Sequence, residues 1–498
     1  MELLLINPPI RDIDSRIENQ FTLGGENSYI RSAEHTVNPG LLSIASFLSR
    51  NKVSLRILDI YDESAALAQL NTVLTDCKPR FVGISCGGML SYRNCLLLAK
   101  YCKMMSDDII VIIGGTHAGP LGKTVFCDSP NIDILVKGEG ELPLLHIARS
   151  HPLNLHTVRG ILFRAKDEIV DTGFTDEVVS LDDLQYDYSI WPDTESIIPV
   201  VEVSRGCWGR CIYCSNTYSF RNRYREKKPE IIVNELKSLS ARFDRAILLA
   251  LSFGGNRKNL ELFIDLMKKG DVNIEWKTET RVDANWKDLL KNLVQVGCRG
   301  LDLGLESASP RILKLMQKTN NPAQYLSDAI EALAICEQIP RDQLILKMNL
   351  LFFPGEVPGS LRETLTFICK YGNRIDIMGP SVMFSYPGLP FNDQLQLFEK
   401  EYGTSLIKNN YWDSVHAYPI NPSRELPYDL LKAQALLLCK MFSSEQAYLK
   451  NKIASKFPWG CKTENLKNII LSKVNYSEIP FSLDIAEHHQ SEKDSYDI

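Results

Sequence analysis

The stretch Val203-Ser204-Arg205-Gly206-Cys207-Trp208-Gly209-Arg210-Cys211-Ile212-Tyr213-Cys214-Ser215-Asn216 decides the fold. It follows an apolar, strand-like run, Ile197 to Val203. Its three cysteines are spaced C-x3-C-x2-C, offsets that could share one helix face. Gly206 and Gly209, interleaved with them, favour a loop instead. A loop lets three thiolates converge, as an iron–sulfur cluster held by cysteine requires. The next cysteine is only at Cys298, so a cluster here keeps one iron with an open position. A structural zinc site would want a fourth Cys or His close behind Cys214, where none stands. Three unrelated buried thiols are the other alternative.

Bulk properties bound the answer. At 498 residues the chain is too long for one core and implies two large domains plus a smaller piece. A hydrophobic fraction of 44% with 23% charged residues is that of a globular protein. A net charge of −5 carries no footprint for non-specific nucleic-acid binding. The 13 cysteines show no disulfide framework, and a thiolate cluster needs a reducing compartment, so a cytoplasmic location is expected. Met1 to Ile6 is apolar but lacks a basic flank and reads as a strand. No apolar run reaches membrane-spanning length, so no membrane is expected as partner.

Residues 1–145 carry five short runs rich in Ile, Val and Leu: Leu3–Asn7, Leu55–Ile60, Phe81–Ser85, Ile109–Ile113 and Ile132–Val136. They alternate with helical patterns at Leu41–Ser49, Ala65–Thr75 and Tyr92–Met105, which predicts a doubly wound, Rossmann-like α/β domain. Ligands of such sheets bind beyond the carboxyl ends of the strands. Small residues gather there: Ser85-Cys86-Gly87-Gly88, Gly114-Gly115-Thr116-His117 and Gly138-Glu139-Gly140-Glu141. No Gly-x-Gly-x-x-Gly follows the first run, so a dinucleotide is disfavoured. A domain that binds nothing, or only a partner, is the alternative. His117 by itself reads more readily as a hydrogen-bonding residue than as a ligand.

Residues 146–195 read as a linker with two strand-like pieces, Gly160–Phe163 and Glu168–Val170. From 196 to 395 strand and helix patterns alternate again. From 396 to 498 the pattern is mainly helical, clearest at Leu426–Phe442, with a polar tail at 477–498. Asn410-Tyr411-Trp412 reads as core.

The cysteine motif, with Tyr213 before its last cysteine, resembles the radical S-adenosylmethionine (SAM) enzymes. The order of parts, with Asn7-Pro8-Pro9, Asn38-Pro39-Gly40-Leu41-Leu42, Gly114-Gly115-Thr116-His117 and Gly138-Glu139-Gly140-Glu141, resembles the subclass with an N-terminal cobalamin-binding domain. The resemblance implies a partial (β/α)6 TIM-type barrel with a [4Fe–4S] cluster on Cys207, Cys211 and Cys214. SAM would be bound by Gly254, Gly255, Arg281, Glu306 and Ser307. Cobalamin would be held by Ser85, Gly87, Gly114, Gly115, Thr116, Gly138 and Glu139. Two departures stand out. The family's lower-ligand motif Asp-x-His-x-x-Gly is replaced by Arg11-Asp12-Ile13-Asp14, and Asn256 stands where Gly-Gly-Glu is common. Apart from the resemblance, Arg281 could form a surface salt bridge and Glu306 could cap a helix. The implied activity is methylation of an unactivated carbon of a natural product or peptide, through a 5′-deoxyadenosyl radical and methylcobalamin. The implied partners are a small-molecule or peptide substrate and an external reductant such as flavodoxin or ferredoxin, without nucleic acid. A cyclase or rearrangement enzyme with the same cofactors, or a non-catalytic sensor, are the rivals.

Overall fold

The computed structural model describes residues 2–9, 35–60, 63–150, 153–166, 168–192, 197–219, 221 and 223–442. The Arg11–Asp14 departure and the tail at 477–498 lie outside the described residues.

The five apolar runs form β1 (Leu3–Asn7), β2 (Leu55–Asp59), β3 (Phe81–Ser85), β4 (Ile110–Gly114) and β5 (Ile134–Val136). All pair in parallel, in the order β2-β1-β3-β4-β5, and helices bury both faces, which explains their unbroken apolar character. The two strand-like pieces of the expected linker do not merely cross a surface. They form β6 (Ile161–Ala165) and β7 (Glu168–Asp171) and extend the same sheet antiparallel, with Val136 opposite Ile161. Ile161, Leu162 and Phe163 are all buried, so the sheet gains core from residues beyond 145.

Asn38 fixes the helix Pro39–Arg50 above the sheet. Its side chain accepts from the Leu41 amide at 3.1 Å, and Pro39 fills the first turn, where no amide is needed. The Asn38 amide nitrogen also donates to Asn7 at 2.9 Å and Ser85 at 3.2 Å, tying the helix start to the ends of β1 and β3.

The second sheet contains β8 (Val200–Glu202), β9 (Arg245–Leu249), β10 (Glu275–Arg281), β11 (Cys298–Glu306), β12 (Ile345–Phe352) and β13 (Ile377–Val382). All six run parallel in chain order, the arrangement of a partial six-stranded barrel. Its outer face is apolar: Trp276, Leu301, Leu303, Leu305, Leu346, Met348 and Leu350 are buried in the core shared with the helices.

Beyond the barrel, helices Leu395–Tyr402, Asn410–Val415 and Tyr428–Phe442 surround a small antiparallel sheet of Phe384–Ser385, Tyr418–Asn421 and Ser405–Leu406. The region is therefore less purely helical than its pattern implies. Trp412 is buried with Met89, Val415 and Ala417, packing this region onto the first domain as core. Among the described residues no helix is long and apolar enough to cross a membrane.

Candidate active site between the two sheets

A cavity of about 350 Å³ opens at the carboxyl ends of β1, β3, β4 and β5. Ser85, Gly87, Gly114, Gly115, Thr116, Gly138 and Glu139 all line it. The loops approach one another closely there. Gly115 has φ of +115°, and a β-carbon on it would come 2.4 Å from the Cys86 carbonyl oxygen, so only glycine fits. Thr116 Oγ1 donates to the Gly87 carbonyl at 2.7 Å, bracing one rim against the other. His117 points elsewhere: its Nε2 donates to the Val415 carbonyl at 2.8 Å, and burial pulls its pKa down to about 4. It ties the first domain to the helix Asn410–Val415.

The far wall of the cavity comes from Glu202 and Leu249 of the barrel strands and from Arg205 and Ser219 on either side of the cysteine loop. Arg205 is the hub. Its guanidinium donates to Glu202 at 2.7 Å and to Glu139, Glu141 and Ser43 at 2.8 Å each. Arg225 also pairs with Glu139. Burial pulls the Glu141 carboxyl up, but Arg205 and the Ser43 hydroxyl pull it further down, to below its ordinary range. Burial pushes Glu139 up despite its two guanidinium partners. Glu202 Oε2 and Ser219 Oγ are buried without a hydrogen-bond partner among the described residues. Buried polar atoms are rarely left so. A corrinoid, with its rim of amide side chains, offers donors and acceptors for them, and the glycine-lined mouth admits a large flat ligand.

The cysteine loop sits between β8 and the barrel mouth. The Gly209 amide donates to Cys207 Sγ at 3.3 Å, and Asn216 Nδ2 to Cys214 Sγ at 3.2 Å. A β-carbon on Gly209 would lie 3.5 and 3.6 Å from the Cys207 and Cys211 sulfurs and 2.9 Å from Arg281 Nη1, so the loop folds tightly round its thiols. Among the described residues no three ligating groups converge on a single metal ion. A four-iron cluster does not require that, since each cysteine binds a different iron. The donor set, three thiols with amide and guanidinium donors aimed at the sulfurs, fits such a cluster.

The expected SAM residues divide. The Gly254-Gly255 turn lies against Trp208 and Tyr224, and Asn256 caps the helix Arg257–Gly270 by accepting from the Lys258 amide at 3.1 Å. Arg281 is buried, but Nε and Nη2 hold Asp283 at 2.7 and 2.8 Å, and Nη2 also reaches the Lys318 carbonyl. Only Nη1 faces the cluster loop, 3.9 Å from Cys211 Sγ. The bidentate fork is thus already occupied. Glu306 has φ of +69°, rare for a residue with a side chain, after a register shift between Gly304 and Glu306. It pairs with Lys318 at 3.1 Å. Ser307 turns away, accepting from the Ser309 amide at 3.1 Å and meeting Thr364 Oγ1 at 3.2 Å. Sequence reasoning passed over Arg205, Glu202, Glu141 and Ser219. Arg205 stood inside the quoted motif, yet nothing in its spacing announced four partners.

Comparison with known proteins agrees with this geometry. Residues 201–368 match the radical SAM superfamily and residues 30–148 the B12 binding domain. The chain is 24% identical over 469 residues to an uncharacterized methyltransferase of Pyrococcus horikoshii, covering 92% of this chain and 94% of that protein. It is 25% identical over 421 residues to the hopanoid C-3 methylase of Methylococcus capsulatus, covering 80% and 76%. The fold is shared with the radical SAM methyltransferase TsrM of Kitasatospora setae, solved with cobalamin and a [4Fe–4S] cluster. The TM-score is 0.67 at 14% identity, covering 99% of this chain and all of that one. The chain belongs to the cobalamin-dependent radical SAM family. Those two domains make it an enzyme whose cofactors are a [4Fe–4S] cluster, SAM and cobalamin.

Proposed function

We propose that the protein transfers a methyl group to an unactivated carbon of a small molecule, with a peptide or other natural product as the substrate class. The observation that supports this best is the shared wall: Glu202 and Leu249 of the barrel line the same cavity as the glycine loops of the first domain. A corrinoid and a SAM-bearing cluster would then face one space. When bound, these groups supply a carbon-centred radical and a transferable methyl group. The chain's own residues bind, orient and exclude water. Cys207, Cys211 and Cys214 would hold the cluster, with Gly209, Asn216 and Arg281 donating toward its sulfurs. Gly254, Gly255 and Glu306 would flank SAM, and Ser85, Gly87, Gly114, Gly115, Thr116, Gly138 and Glu139 would cradle the corrinoid. Arg205 joins the two halves. An external one-electron reductant of the flavodoxin or ferredoxin kind is required to start the cycle.

The test supplies the anaerobically reconstituted protein with methyl-labelled SAM and a small-molecule extract of its source cells. Label should enter one extract component only when cobalamin and reductant are both present. Conversion of a component without label would favour the cyclase or rearrangement reading. Absence of any 5′-deoxyadenosine would remove the radical reading altogether.

A further inference from the structure

The inner face of the barrel differs from its apolar outer face. Trp276, Thr278 and Thr280 turn outward on β10, so Lys277, Glu279 and Arg281 turn inward. On β11 the inward residues are Gly300, Asp302, Gly304 and Glu306, and on β12 they are Lys347, Asn349 and Leu351. Glycines make room for these side chains. A β-carbon on Gly379 would lie 2.5 Å from Asn349 Oδ1 and 3.1 Å from Lys347 Cε, and one on Gly300 would lie 3.0 Å from the Lys277 β-carbon. A lumen that merely closed a core would be filled by branched apolar residues.

The register places the charges at one level. Glu202 is opposite Leu249, Leu248 opposite Thr278, Glu279 opposite Asp302, and Asp302 opposite Lys347. Glu202 and Leu249 line the cavity of the first domain, so the row Glu279–Asp302–Lys347 continues that wall into the barrel. Arg281, beside the cluster loop, stands one inward step above, roughly 7 Å along the strand. The row therefore lies between the two cofactor sites.

Its charges are arranged for a ligand. Lys347 Nζ meets Asp302 Oδ2 at 2.9 Å. Glu279 is exposed to the lumen, and no hydrogen bond or salt bridge among the described residues engages it. Desolvation by the enclosing barrel wall, and then the neighbouring Asp302, push its pKa up, while burial holds Lys277 below the usual lysine range. For Glu279 this is a cost that a bound cation would relieve.

We propose that this row is the substrate site, built for a small amphoteric molecule whose cationic group meets Glu279 and Asp302 and whose anionic group meets Lys347 and Lys277. The assignment rests on the methyltransferase reading for the identity of the ligand as substrate, but the site itself is read out by binding. The holoprotein, with cobalamin and SAM present, is titrated calorimetrically with L-phenylalanine, L-lysine, L-glutamate and a dipeptide. The single-charge analogues phenethylamine and 3-phenylpropionate, with farnesol and protoporphyrin IX, form the comparison. At least one amphoteric probe should bind, more tightly than its single-charge analogue, and Lys347→Met and Glu279→Gln should each weaken it about tenfold or more, the loss of one charge-assisted bond. The corrinoid spectrum of each variant reports an intact fold, and Asp302→Asn serves as a second probe of the row. Binding of farnesol or the porphyrin alone, no binding of any amphoteric probe, or amphoteric binding unchanged in both Lys347→Met and Glu279→Gln would overturn the proposal. So would variants that weaken SAM rather than the probe. Failure of methyl transfer with intact probe binding would instead count against the activity and leave the site standing.

Discussion

Replacing Arg205 with methionine keeps the side chain's bulk and removes its charge. The guanidinium is 7% exposed and meets Glu202, Glu139 and Glu141 within 2.8 Å. Glu139 would keep Arg225, but Glu141 and Glu202 would be left buried without a counter-charge. Breaking a buried pair from one side costs about 3–5 kcal/mol, a large share of the ~5–15 kcal/mol that holds a domain folded. At roughly 2–4 °C per kcal/mol for domains of this size, the apparent melting temperature should fall by about 6–20 °C. Arg205 also bridges the two sheets, so the corrinoid absorbance and the tryptophan fluorescence should melt separately in the variant. The pH dependence has a definite sign. Glu141 is held below its ordinary pKa in the wild type, so its stabilisation is present at neutral pH and lost as pH falls through the folded value. In Arg205→Met burial is opposed only by the Ser43 hydroxyl and a backbone amide, so the carboxyl titrates upward and acidification relieves it. The difference between wild type and variant should therefore be largest near pH 7 and shrink toward acid. A loss below about 1 kcal/mol at pH 7, or one that grows as pH falls, would refute the reasoning.

Other consequences are as direct. A β-carbon on Gly255 would lie 2.4 Å from the Trp208 ring and 2.3 Å from the Tyr224 hydroxyl, so Gly255→Ala should displace Trp208 and lower the iron content of reconstituted protein. Burial pushes Glu356 up to about 8 from 4.5, against the pull of Ser360 and Arg311. Its folded form is neutral, so stability should fall by up to about 1.4 kcal/mol per pH unit between those values, and Glu356→Gln should abolish that slope in denaturant titrations. His117→Ala should keep the corrinoid spectrum and lose about 1–3 kcal/mol through the orphaned Val415 carbonyl; loss of the corrinoid would make His117 a ligand after all.

Much of the fold was legible because the signals were local. Five unbroken apolar runs with glycine-rich ends prescribe a parallel sheet, and three cysteines around Gly209 prescribe a tight loop. The two strands after residue 145 were visible too, but their membership of the first sheet depends on a pairing with Val136 that no local pattern encodes. The alternation in Glu275–Arg281 and Cys298–Glu306 was in plain view, with Trp276, Thr278 and Leu301 outside and Lys277, Glu279 and Asp302 inside. Read as generic barrel strands, they concealed a polar lumen. Arg205 lies more than 60 residues from its partners Glu139 and Glu141, so only the fold brings them together. Arg281 shows the converse: its fork suited a carboxylate, and Asp283, two residues on, supplied one.

The central claim is that one cavity brings a cysteine-held cluster and a corrinoid together. Its most direct test is anaerobic reconstitution with iron, sulfide and cobalamin, then reduction in the presence of SAM, with the corrinoid spectrum and 5′-deoxyadenosine measured on the same sample. Wild-type protein should retain the corrinoid and form 5′-deoxyadenosine, while Cys211→Ala should retain the corrinoid and form none. A protein that takes up no corrinoid, or a yield of 5′-deoxyadenosine unchanged by Cys211→Ala, would contradict it.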